Sequence, residues 1–270
     1  MKTNNNNKMK RTILLLMTMH FGLTGLNAQG DYSLQVKGDA SSMKIEVANL
    51  FAGLRFEGHN SDQIEIDANG YRGLPEKAKG LKPLSAYGED NTGIGLYVEQ
   101  QGNTIQISGV SRASRDADYT IKIPENMKLK IDSEDWNADD IEVRGTKNEV
   151  EIKANSAGLI LTDVTGPLVL NSINGEMEVA FTNLNQQSPS SISATNGDID
   201  ISMPANSKAD FSLSCLNGEV YTDLDIKFDE EDRNKMRRVG GGIKTDALLG
   251  GGGVEFSIRA INGNIYLRKQ

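Results

Sequence analysis

Asp132, Glu134, Asp135, Asp139 and Asp140 crowd one short stretch around Trp136, the only tryptophan of the chain. Carboxylates at that density can present several oxygen ligands to Ca²⁺. They can also act as acid and base on a sugar, with the indole stacked on the ring. The third reading is a solvated acidic edge with the indole lying over a core. The stretch lacks the glycine that shapes a calcium loop. These six residues form the candidate ligand surface. Calcium is the one cofactor left open, and no residue is assigned as catalytic or metal-ligating.

Other chemistry is thinly supplied. A Ser-His-Asp or Cys-His site would need His59, because His20 lies in the N-terminal stretch and no motif surrounds His59. A zinc site would lack its usual ligands. Cys215, the single cysteine, sits in an alternating apolar run, where a buried small residue is expected rather than a reactive thiol. The runs Gly240–Gly242 and Gly250–Gly253 are followed by no Gly-Lys-Ser/Thr, so they are read as points of close packing or of loop movement rather than as a phosphate cradle. Lys77, Lys79 and Lys82 lie in a Gly- and Pro-rich excursion over residues 71–92, where they either attract an acidic ligand or simply face solvent.

Charge and the N-terminus narrow the setting. Residues 1–28 begin with Lys2, Lys8, Lys10 and Arg11, continue through an apolar run and end at Leu26-Asn27-Ala28, the layout of a secretory signal peptide. Its removal leaves 25 basic against 37 acidic side chains, a net charge of −12. Such a chain is not expected to hold nucleic acid through bulk electrostatics. No Cys stands near the cut to carry a lipid, and no later stretch reaches the ~20 apolar residues of a membrane-spanning helix.

The elements that must position these residues are short strands. Residues 32–36, 43–47, 63–66, 95–98, 104–107, 119–123 and 128–131 alternate apolar and polar. From Ile141 the spacing becomes regular. Ile141, Val150, Leu159, Leu168 and Met177 each open an apolar–any–apolar triplet, nine residues apart, with turn residues between them. The same interval separates Leu96 from Ile105, Phe211 from Val220 and Phe256 from Ile265. Asn-Gly recurs as Asn174-Gly175, Asn196-Gly197, Asn217-Gly218 and Asn262-Gly263, where positive φ at either residue would make a sharp corner. A fixed interval with a repeated turn predicts an all-β solenoid in which two nine-residue units make one coil and successive coils stack in parallel. The alternative is an antiparallel meander or sandwich with each Asn-Gly as a hairpin turn, Ile192 then facing Ile201. The predicted organisation is a signal peptide over 1–28 and one solenoid domain over 29–270. Within it, 29–140 is the less regular part and 141–270 the repeating part.

The ordered set Phe211–Val220, the glycine runs and Val254–Leu267 resembles the bacterial putative-adhesin family of exported β-solenoid domains, from about Val143 onward. The resemblance implies a periplasmic, secreted or cell-surface protein of a Gram-negative bacterium. It also implies a non-catalytic role in binding or display at the envelope, toward a protein or polysaccharide partner. The alternative function is a carbohydrate-active β-helix enzyme that uses the 132–140 cluster, with or without calcium.

Overall fold

The computed structural model describes residues 30–136, 138–228 and 242–270. The signal-peptide reading of 1–28, the charged segment Asp229–Met236 and the pair Gly240-Gly241 lie outside these.

The chain opens with β1 (Gly30–Gln35), β2 (Lys44–Ala48), β3 (Gly53–His59) and β4 (Gln63–Asn69). After the excursion come β5 (Leu96–Gln101), β6 (Thr104–Gly109), β7 (Asp118–Pro124) and β8 (Lys128–Ser133). The regular part runs through β9 (Ile141–Arg144), β10 (Val150–Ala154), β11 (Leu159–Val164), β12 (Leu168–Asn174) and β13 (Met177–Phe181). It continues through β14 (Ser190–Asn196), β15 (Ile199–Met203), β16 (Ala209–Asn217) and β17 (Val220–Thr222). The last strands are β18 (Ile226–Lys227), β19 (Ile243–Leu249), β20 (Val254–Asn262) and β21 (Ile265–Lys269). Among the described residues these form one ten-stranded and one eleven-stranded sheet.

The nine-residue interval is one strand plus one corner, so consecutive strands fall in opposite sheets and every second one returns to the same sheet. Val150 therefore lies beside Leu168 and Leu129 in one sheet, and Leu159 beside Ile141 and Met177 in the other, all parallel. Period-two alternation then sends one face of every strand inward. In β10, Val150, Ile152 and Ala154 are buried while Glu151 and Lys153 point out. Each fully buried Val, Leu or Ile contributes about 1.5–3 kcal/mol. Near the C-terminal end the core thickens around Phe181, Phe211 and Phe256, whose rings meet at 5.8 and 5.7 Å.

This is a β-solenoid, and the meander is excluded at its best site. Ile192 lies between Leu170 and Ile258, and Ile201 between Val179 and Leu267, in different sheets.

Two features depart from a simple sequential stack. Chain order is not stack order at either end. The coil β2–β3 sits between β6–β7 and β8–β9, and the last coil, β20–β21, sits between β14–β15 and β16–β17. Antiparallel strands also close both ends: β4 on β7 and β1 on β4 in one sheet, β5 on β6 in the other, and β19 on β16 with β18 on β19 at the far end. A parallel stack leaves open edges that invite further pairing, and short antiparallel strands end it. The Leu96–Ile105 interval is thus a hairpin through Gly102, not a coil. The run Gly250–Gly253 crosses from β19 over the end of β16 to β20, with left-handed φ at Gly250, Gly251 and Gly252. Three strands escape the sequence reading: β3, the short β18 and β19.

Candidate functional site

The four Asn-Gly pairs are brought into one column. Register places Asn174 beside Asn196, Asn196 beside Asn262, and Asn262 beside Asn217. Their amides form a directional ladder. Asn217 Nδ2 donates to Asn262 Oδ1 at 2.8 Å, Asn262 to Asn196 at 2.7 Å, and Asn196 to Asn174 at 2.7 Å. Asn174 then donates to the Asn155 carbonyl at 3.3 Å and Asn155 to the Glu134 carbonyl at 2.8 Å. The column therefore runs from β16 to the end of β8 along one edge of the solenoid.

The glycines stack beside it for two reasons, only one of them expected. Positive φ occurs at Gly197 (149°) and Gly263 (159°), but not at Gly175, at Gly218 or at any of the four Asn. What the positions share is close backbone approach. A Cβ on Gly175 would overlap the Ala157 carbonyl, one on Gly197 that of Gly175, one on Gly263 that of Gly197, and one on Gly218 that of Gly263. The absent side chains let neighbouring coils come together at the corner.

The six acidic-cluster residues are spread around the β8–β9 corner, on the same edge, where the ladder ends at Glu134. Asp132 points outward from β8, opposite Lys153 of β10. Asp140, before β9, accepts from the Gly158 amide at 3.1 Å. Glu134, Trp136 and Asp139 are exposed and Asp135 is half-buried; Trp136, 61 % exposed, does not cover the core. Among the described residues, no three His, Cys, Asp or Glu side chains converge as a metal site would need. His59 binds the Gln63 carbonyl at 2.9 Å through Nε2. Cys215 is buried with Sγ 3.2 Å from the Gly263 carbonyl, and burial pushes its thiol pKa up, away from the reactive thiolate.

Two outward surfaces carry organised side chains that sequence reasoning missed. On the ten-stranded sheet, Tyr221 and Tyr266 stack at 5.3 Å and 11°. Tyr221 donates to Glu219 at 2.8 Å, which raises its pKa, and Arg268 lies over Tyr266 while its Nε reaches both Asp200 oxygens at 2.8 and 2.9 Å. On the eleven-stranded sheet, Ser212, Ser257 and Ser191 stand in one row, ending at Val169, and Ser214, Arg259, Ser193 and Asn171 in the next. Asn171 Nδ2 donates to Ser193 Oγ at 2.7 Å. The signal for these rows is the alternate polar position of each strand, which becomes a row only once the order of coils is known.

Two packed sheets of stacked coils, with a corner ladder and short side chains outside, define a solenoid repeat domain. The chain belongs to the Toastrack DUF4097 family, whose model matches residues 95–265. The match begins at β5, well before the region where the family resemblance is readable by eye. No curated protein matches the chain. Two crystal structures are similar to it. One is a putative cell adhesion protein from Clostridium sporogenes, 11 % identical, covering 90 % of this chain and 100 % of its own, with a TM-score of 0.48. The other is a putative adhesin from Bacteroides fragilis, 12 % identical, covering 88 % and 96 %, with a TM-score of 0.39.

Proposed function

We propose that this is an exported binding module that holds an extended envelope polymer on its eleven-stranded face and does not turn it over. The observation that carries the reading is the register of the Ser212–Ser257–Ser191 and Ser214–Arg259–Ser193–Asn171 rows. Parallel strands repeat at about 4.8 Å, so hydroxyl and amide groups recur along the stack at a spacing fixed by the backbone. A rigid row of short donors and acceptors meets a chain of repeating polar groups with little ordering cost. The charged and apolar stretch over 1–28 supports export, and the acidic net charge turns the preference away from nucleic acid.

The test is retention on envelope fractions and on a polysaccharide panel, with and without calcium, followed by assay for released fragments. Ser191→Arg with Ser257→Arg fills the rows with long side chains at exposed positions, so the fold is expected to survive. The reading expects retention of at least one envelope polymer by the natural protein and loss of it in the variant. Equal retention by both, or no retention by either, overturns it. Release of fragments that stops on Asp135→Asn would move the function to the acidic cluster.

A further inference from the structure

The excursion 71–92 leaves apolar side chains that nothing among the described residues covers. Leu84 is fully exposed at 105 %, Leu81 is 65 %, Tyr87 44 % and Leu74 39 %. These are four of the nine large apolar side chains exposed among the described residues, gathered in one short segment. Clusters of this kind mark contact surfaces, whereas single exposed residues do not.

The same segment reverses the local charge. Residues 71–92 together with the turn Arg112–Asp116 carry six basic and four acidic side chains, against 29 and 37 in the whole chain. Two of those acids are engaged. Asp90 accepts from Thr92, Gly93 and Gly95, and Glu89 pairs with Lys82. Arg72, Lys77, Lys79 and Arg112 are exposed and form no ion pair among the described residues. Arg72, Lys82 and Arg112 face one open cleft of about 830 Å³ walled by Leu74 and Leu81, with Glu76 and Asp116 also on its lining. The turn itself is held in place by Arg115, whose guanidinium lies 4.6 Å from the centre of the Phe51 ring.

We propose that this face docks the protein on a bilayer rich in acidic phospholipid, with headgroup phosphate taken by Arg72 and Arg112 and with Leu81 and Leu84 entering the acyl boundary. Juxtaposed cations and projecting leucines are the two forces of interfacial binding: attraction to anionic headgroups and burial of apolar area. Leu84 lies outside that cleft, on a neighbouring one that shares Pro83, Ser111 and Arg112, so a single occupant must span both, and the excursion contains no strand whose edge could pair with a peptide. A membrane surface covers walls and tip together. The inference stands apart from the serine face, which lies on the eleven-stranded sheet.

The experiment is sedimentation of the full chain with vesicles of phosphatidylglycerol and phosphatidylcholine, or of phosphatidylcholine alone, with hydrogen exchange on the bound protein. The apolar run before Leu26 can hold lipid by itself, so the exchange map and the variants decide. The expected result is stronger retention on the acidic vesicles, weakened by salt, with new protection in 71–92 and 112–116. Arg72→Ala with Arg112→Ala should lower retention by about five-fold per charge. Leu81→Ser with Leu84→Ser should lower it with no change in thermal midpoint, since these side chains are exposed. Equal retention on both vesicle types, no protection in 71–92, or indifference to both variants overturns the proposal. Protection of 71–92 by a polyglutamate peptide but not by acidic vesicles also overturns it and assigns the face to an acidic protein segment.

Discussion

Gly175→Ala isolates the spacing of the coils from the conformation of the corner. Gly175 has no left-handed φ, so alanine is allowed by its backbone, yet the added Cβ overlaps the Ala157 carbonyl and approaches the Gly158 amide. Those atoms are main chain and cannot rotate aside, so the two coils must separate. Overpacking of this kind costs about 1–3 kcal/mol. The separation also strains the bonds that join the coils there, Asn174 N to Asn155 O and Leu159 N to Glu176 O, both at 2.9 Å. Each is worth about 0.5–1.5 kcal/mol. The smaller freedom of alanine in the unfolded chain returns about 0.4–1 kcal/mol. The net expectation is a loss of about 3 kcal/mol. Gly102→Ala is the contrasting case, with φ at 59° and no atom within 4 Å of the new Cβ. It should lose only about 1–2 kcal/mol, the left-handed cost alone. Glu178→Gln, exposed on β13, should stay within about 0.5 kcal/mol. Urea unfolding ranks the three. Hydrogen exchange on Gly175→Ala should show protection lost in β10–β11 and β14–β15 as well as in the altered coil. A Gly175→Ala protein as stable as Glu178→Gln would refute the claim that close backbone approach selects glycine at these corners.

Three further outcomes are expected. The Tyr119 hydroxyl is buried on the Ile94 carbonyl at 2.7 Å, and burial first, then Tyr71 and Asp90, drive its pKa well above the ordinary 10.0. Above about pH 10 the unfolded chain releases this proton while the folded one keeps it, so stability should fall as pH rises there. Tyr119→Phe should be less stable by about 1–3 kcal/mol near neutrality, with a shallower alkaline decline, and parallel pH–stability curves would sink the assignment. Thr146 Oγ1 is wholly buried with no hydrogen-bond partner among the described residues, so Thr146→Val should gain about 1 kcal/mol in urea unfolding; a loss would mean the hydroxyl is satisfied. Ending the chain before Val254 removes β20 and β21, and limited proteolysis should then cut within 209–249 while sparing 141–203; equal resistance of both would contradict the interleaved order of the last coils.

How much of this was legible follows from which contacts are local. The interval of nine is set by one strand and one corner, and it exposes the alternation of sheets from Ile141 to Met177 without any long-range knowledge. The Asn-Gly corners were visible for the same reason, but only part of their physics was: Gly197 and Gly263 take the expected positive φ, while the close backbone approach that all four share does not show in one residue. Positive φ is a property of one residue, whereas the overlap of Gly197 with Gly175 is a property of two coils. The acidic stretch shows the limit of local reading. Close in sequence, its carboxylates leave β8 on one face and enter β9 on another, because a corner turns between them. Lys77, Lys79 and Lys82 read either as an attractor of an acidic ligand or as a solvated run, and the sequence could not show that Arg72 and Arg112 meet at one cleft beside Leu74 and Leu81.

Coil order is the part no period can carry. A repeat specifies what a strand accepts on either side, and every coil here accepts nearly the same neighbour: an apolar, small-cornered strand in parallel register. The sequence leaves β14 equally suited to β16 or β20, since Ile192 would meet Leu213 or Ile258 alike. What separates them is the chain between. β19 pairs antiparallel with β16 and occupies its outer edge, and the glycine run returns the chain to the inner edge, so β20 can enter only between β16 and β14. The caps therefore do more than protect the ends of the stack: by filling an outer edge, the cap on β16 directs the terminal coil inward. The same logic holds at the other end, where β5 and β4 flank β6 and β7 from outside and leave the inner side of that coil to β2 and β3.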